Sequence, residues 1–216
     1  MSVIASGAVS LLTVAATFGG GWFITTRITE RWAQIRRSRE DNQAAARELQ
    51  LRYGEFVALW KTWNALVGDH TARSQVPEEA KWDCLRRATD AEGAVEALLA
   101  RVCAERRLTA EQIDTLGALR QAFKVVRRTI RRGEPLAWHS SESEPYLAFK
   151  SLVAAAGVLV ASPADPRNRP DATEAARAFR SVTSNDHERT WISTGRRRLS
   201  SPGTAEAAER ALPHRT

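Results

Sequence analysis

Four guanidiniums crowd one short stretch of this chain, Arg127-Arg128-Thr129-Ile130-Arg131-Arg132. On a helix, Arg127 neighbours Arg131 and Arg128 neighbours Arg132, so like charges face each other at i,i+4 spacing. A bound phosphate or anionic headgroup would relieve that crowding, because the guanidinium fork matches such oxygens. The competing explanation is structural, since cations near a helix C-terminus interact with its dipole by about 0.3–1 kcal/mol each. A second cluster, Arg196-Arg197-Arg198, precedes Ser200 and Ser201. It reads as a kinase-readable or lipid-touching segment, or simply as part of a solvated tail. A third group, Arg27, Arg31, Arg36, Arg37 and Arg39, follows an N-terminal run without any charged side chain. Its chemistry is topological rather than catalytic, because basic residues flanking a membrane span mark the cytoplasmic side.

The other reactive residue types are sparse. Cys84 and Cys103 fall on one expected helix, about 28 Å apart along its axis, too far to pair while that helix is intact. Buried thiols in a reducing cytoplasm are the expectation. The four histidines, His70, His139, His187 and His214, form no H-x-x-x-H or H-E-x-x-H spacing, and no nucleophile elbow or P-loop is present. The reading is therefore non-enzymatic, with no cofactor and no metal. An enzyme of unfamiliar helical type would need a polar pocket converging on His139, Glu142 or Glu144.

The 216 residues carry a formal charge of +7, with 43% hydrophobic and 26% charged residues. Collagen-like, wholly disordered and disulfide-scaffold chains are excluded on composition. Net charges of +3, +3 and +1 over 27–68, 69–133 and 134–216 spread the basicity thinly, which argues against nucleic acid as a partner. Only 4 of the 32 basic residues are Lys. With abundant Ala, this points to a GC-rich bacterial genome, and it weakens any guanidinium-specific reading of an Arg cluster.

These residues need elements to hold them. Residues 1–26 are expected to be a transmembrane anchor, with Val3 to Thr25 as the span. As a helix these 23 residues reach roughly 34 Å, against about 30 Å of hydrocarbon. The rivals are a cleaved signal peptide, which lacks a basic n-region and a clear cleavage site, and a buried soluble helix. The lipid bilayer is thus a partner through residues 3–25. The N-terminus is placed outside the bacterial inner membrane and the C-terminal domain in the cytoplasm. Ala15/Gly19 and Ala16/Gly20 are small-xxx-small pairs, which offer homodimerisation through the anchor and the stalk that follows it.

Behind the anchor, Ile28, Trp32, Ile35, Arg39, Asn42, Ala46, Leu49, Tyr53, Phe56, Trp60, Trp63 and Val67 alternate by four and three. That is a heptad seam, polar or small from Arg36 to Gln50 and aromatic beyond. As one helix, residues 2–67 extend about 100 Å. The polar part, 27–50, reads as a juxtamembrane stalk crossing solvent, and the aromatic part enters a bundle over 51–161. A second helix opens at Pro77-Glu78-Glu79 and runs to about Arg107, with Trp82, Leu85, Ala88, Val95, Leu98, Leu99 and Val102 on its apolar face. A third starts at the Thr109/Gln112 capping box, presents Ile113, Leu116, Leu119, Phe123, Val126 and Ile130, and stops at Gly133. After a polar loop over 134–144, a fourth spans about Pro145 to Ala161. Its apolar run is too short for a second membrane span.

Residues 162–195 read as a Pro-rich linker with short helices, the first at Asp171 to about Val182, and 196–216 as a flexible tail. The fold class is all-α: an N-terminal transmembrane helix continuing into a long helix, an antiparallel bundle of about four helices, and a partly disordered tail. The leading functional expectation is a membrane-tethered interaction or scaffold protein with a protein partner. The alternative is a regulatory or effector protein that binds a phosphorylated ligand, anionic lipid or nucleic acid through Arg127–Arg132.

Overall fold

A computed structural model describes residues 2–67, 76–136, 138, 142–162, 164–165 and 168–199, apart from the side chains of 2–28, 31, 34, 35 and 38. Among these residues the chain is all-helical. The elements are α1 (Ser2–Val67), α2 (Glu78–Glu105), α3 (Ala110–Arg132), α4 (Glu144–Ala161), α5 (Ala172–Val182), a 3₁₀ turn (Asp186–Glu188) and α6 (Trp191–Leu199). The chain divides into two compact units, Met1–Asp41 and Asn42–Thr216.

In the first unit only part of the surface is described. Trp32 is 64% exposed, and Arg36, Arg37 and Arg39 are exposed. The side chains of the expected anchor, residues 3–25, and those of Arg27 and Arg31 lie outside the described residues. Among the described helices, one is long and apolar enough by length and composition to cross a membrane, namely α4, Glu144–Ala161.

The second unit is the folded bundle, and local signals explain its boundaries. Thr109 caps α3 through Gln112 N, and the Gln112 side chain returns to Thr109 N at 2.9 Å. Asp171 and Glu174 make the same reciprocal pair at the start of α5. Each box satisfies amides that the first helical turn leaves without partners. Gly133 ends α3 with φ 70°. Its N–H bonds Ile130 O, and Glu134 N bonds Thr129 O, a left-handed stop that glycine adopts without a Cβ penalty.

Helix α3 is central, in contact with α2, α4, α5, α6 and the 3₁₀ turn. It is therefore buried on more than the expected stripe: Thr115, Ala118, Gln121 and Ala122 are enclosed along with Leu116, Leu119, Phe123, Val126 and Ile130. Helix α4 also serves the core, burying Phe149, Leu152, Ala156 and Val160. The distal half of α1 supplies an aromatic layer. Phe56 stacks on Phe123, Trp138 and Phe149 with centroids 4.3–5.4 Å apart. Trp60 lies against Trp138 and Tyr146. Such offset and edge contacts add about 0.5–1.5 kcal/mol per pair beyond burial.

Several expectations need correction. The polar half of the seam does not all cross solvent, because Asn42, Ala45 and Leu49 are already buried. Helical rotation brings Ala45 inward and leaves Ala46 at the edge. Trp82, expected on the core face of α2, is 65% exposed. Cys84, two residues on, points inward instead. The loop after α3 is not merely polar. Leu136 and Trp138 plug into the core, and the loop is tied to α1, where Trp63 Nε1 donates to Glu134 O at 2.8 Å and Asn64 bonds both the N and O of Leu136. Finally, the bundle has more than four members. Helix α6 packs closely on α4 and α3, and α5 on α2 and α3, so the segment read as linker closes the core. Arg196 to Leu199 belong to α6 rather than to a tail. Residues 200–216 lie outside the described residues.

Candidate functional site

The Arg127–Arg132 cluster is brought together by α3 as expected, but its members divide. Arg127 is paired with Glu92 of α2, a carboxylate only 6% exposed as a residue. Arg128 is paired with Glu188 of the 3₁₀ turn. Glu188 is held below the usual carboxylate range by its bond to Arg128, with Lys124 and Arg132 adding charge. Arg131 and Arg132 are exposed. Arg120, two turns earlier, bonds Glu96 at 2.6 Å and reaches the Thr183 carbonyl oxygen at 3.0 Å. The basic face of α3 is thus largely a polar seam that fastens α2 and the segment after α5. Two of the four cluster members remain facing solvent.

The Arg196–Arg198 cluster is also structural. Arg198 donates to Thr115 Oγ1 and to Glu111 O, and it pairs with Glu111 at 2.7 Å. Arg196 pairs with Glu144 at the start of α4. That pairing occupies one residue of the expected polar pocket. Glu142 is described and has interactions of its own, whereas His139 lies outside the described residues, as do His70 and His214. His187 is buried, with Nε2 3.1 Å from Ser181 O, and its ring fills the space left by Gly117. Both thiols are buried. Burial pushes Cys103 up to about 11, and it raises Cys84 as well, so neither is a poised nucleophile. Among the described residues, no three His, Cys, Asp or Glu side chains gather as metal ligands.

A surface that the residue patterns did not single out lies between α1 and α2. Bulky rings hold α1 on the α3–α4 side of the bundle. On the α2 side it presents small residues, and a cavity of about 450 Å³ opens there. Gly54, Ala58 and Leu59 of α1 face Ala91 of α2 across it. Arg52 and Glu55 of α1 and Arg87 and Asp90 of α2 also line it. Arg52 bonds Glu55 at 2.9 Å, which raises the Arg52 pKa. Next to the groove residue Arg52, Leu51 is 60% exposed. The signal was present in the sequence as Leu51, Gly54 and Ala58 at three- and four-residue spacing, but the stronger aromatic seam on the opposite face masked it. Compared with known protein-family models, with the curated proteins and with solved structures, the chain matches none.

Proposed function

We propose that this chain is a membrane-tethered, non-enzymatic interaction protein whose partner-facing surface is the α1–α2 groove. The observation that carries the reading is the groove itself, lined by Gly54, Ala58, Leu59 and Ala91 and by side chains of both charge signs. Small residues let a backbone approach closely, and lining charges of mixed sign set the register of an amphipathic helix. An amphipathic helix of a protein partner, with charges opposite in sign to those it meets, is the ligand that suits this lining, and self-crosslinking of two copies is the outcome that replaces it. Tethering rests on the uncharged run at residues 3–25, with Arg27, Arg31, Arg36, Arg37 and Arg39 holding the bundle on the cytoplasmic side of a bacterial inner membrane. Binding of a phosphorylated ligand, anionic lipid or nucleic acid through Arg127–Arg132 is the weaker reading, because Glu92 and Glu188 already engage two of its four guanidiniums.

The test is a photo-crosslinker at Ala58 in the membrane fraction, with and without Gly54→Leu. A Cβ at Gly54 meets nothing within 4 Å, so a larger side chain can start from this groove position without a clash at its first atom, and the far-UV CD and Tm of the variant check that the fold is retained. Gly157→Leu on α4, equally open, is the control. Loss of the crosslinked species in Gly54→Leu alone supports the groove. No crosslink in the wild type, or equal yield in all three proteins, rejects it. Fractionation with protease access to the C-terminus tests the tether, and a soluble chain or an external C-terminus removes that part of the reading.

A further inference from the structure

Arg106 opens the connector between α2 and α3, and its guanidinium caps a different helix. It donates to Leu159 O, and to Val160 O at 2.8 Å, at the C-terminal end of α4. It also donates from Nη2 to Asn42 Oδ1 of α1 at 3.1 Å. A guanidinium has five N–H groups. Three are used here, and the buried Nε meets no acceptor. Asn42 is 3% exposed. Its oxygen faces the donating guanidinium, so its amide nitrogen is a donor, and this too is buried without an acceptor. The cluster therefore combines one positive charge with surplus donors.

The charge is also unbalanced. Arg120, Arg127, Arg128 and Arg198 each have a carboxylate partner. Among the described residues, no carboxylate lies within ion-pair distance of Arg106. Its neighbour Glu105 bonds Arg101 at 2.9 Å. Burial lowers the Arg106 pKa, and the charge of nearby Glu105 opposes that shift without reversing it. Arg106 lines two cavities, one of about 210 Å³ and one of about 270 Å³. Both lie below the ~300–1,000 Å³ of drug-sized sites, so a ligand of few atoms is the fit. The smaller is polar, with Arg107, Gln112, Ser162 and Asn168 around it. Glu105 and Asp165 also line it, which limits how much negative charge it accepts.

We propose that the smaller of the two Arg106 cavities binds a small oxyanion, a carboxylate or a phosphate, held by a guanidinium that no described carboxylate meets within ion-pair distance and by the polar groups around it. Charge-assisted bonds to a guanidinium are the stronger kind, and an anion here neutralises a half-buried charge that is otherwise costly. The site is independent of the α1–α2 groove and uses neither Arg131 nor Arg132.

The experiment measures Tm and amide exchange of the full chain with inorganic phosphate or acetate, against sodium chloride at matched ionic strength. The expected result is a rise of about 4 °C at tenfold excess over Kd, with slowed exchange at 106–109. The anion giving the larger rise identifies the ligand class. Arg106→Gln also uncaps α4, so the decisive variant is Asn42→Asp. It keeps the guanidinium and supplies a carboxylate from within, and the response to added anion is then lost. Asn168→Leu, on the cavity wall, weakens binding about tenfold. The proposal is overturned by no response in the wild type, by an equal rise in chloride, by an undiminished response in Asn42→Asp and Asn168→Leu, or by protection confined to Arg131 and Arg132.

Discussion

Gly195 on α6 lies so close to Ala148 on α4 that a Cβ added to the glycine would stand 2.5 Å from the Ala148 carbonyl oxygen and 2.7 Å from its methyl carbon. Neither neighbour is the end of a flexible side chain. The contact lets the short last helix sit directly on α4, with its own Trp191 and Thr194 buried.

Gly195→Ala therefore tests whether α6 is part of the folded core. Helix propensity alone favours alanine by about 1 kcal/mol. Overpacking against a backbone opposes it by about 1–3 kcal/mol. The tertiary effect wins, and urea unfolding should show a net loss of stability. A gain would mean that α6 does not dock on α4.

Two acids on the basic face of α3 should differ in weight. Glu92 is nearly enclosed and serves Arg127, with Arg120 at 4.0 Å. Glu92→Ala leaves an arginine without its partner at a largely buried site and should cost about 2–4 kcal/mol. Glu188→Ala removes a pair whose acid side chain is 34% exposed, against 8% for that of Glu92, and should change the unfolding midpoint less. Equal effects in the two variants would show that burial does not set the strength of these pairs.

Two tryptophans give the clearest contrast. Trp63 is 1% exposed and Trp82 is 65% exposed. Trp63→Ala should cost about 3–5 kcal/mol, with loss of the bond to Glu134 O included. Trp82→Ala should stay within about 0.5 kcal/mol. Comparable losses in denaturant titrations would return Trp82 to the core face on which its spacing placed it.

Cys103 gives a pH signature. Its thiol is raised from 9.0 to about 11 in the fold, so the native state keeps a proton that the unfolded state gives up. Stability is unaffected below about pH 9 and falls between 9 and 11. The loss approaches about 2–3 kcal/mol at 1.36 kcal/mol per pKa unit. Cys103→Ala should flatten that part of the profile relative to wild type. A profile identical to wild type would indicate a thiol that ionises at its ordinary value. Native Cys103 should also react with alkylating reagents at pH 8 only on unfolding.

Much of the secondary structure was legible because its causes lie within four residues along the chain. The Thr109/Gln112 and Asp171/Glu174 boxes, the Gly133 stop and the aromatic stripe from Tyr53 to Val67 are local facts, since i to i+3 and i+4 neighbours meet on any helix. The candidate surfaces were less legible. Arg127 and Arg128 looked like free charge because Glu92 and Glu188 are 35 and 60 residues away from them. Arg106 stood out in no pattern. What distinguishes it is a missing carboxylate, and a sequence does not display which acids fold toward which bases.

By itself the sequence determined a helical chain, the approximate ends of α2 to α5, and an uncharged run at 3–25 followed by arginines. Only the tertiary structure decided that Leu136 and Trp138 turn inward, that α5 and α6 close the bundle, and that most of the basic face of α3 is a fastening. The physical reason is range. Helix formation is governed by bonds and side-chain contacts within one or two turns, whereas burial and charge pairing depend on which distant segments share a volume. The same arginine is a ligand site or a clasp according to what stands opposite it.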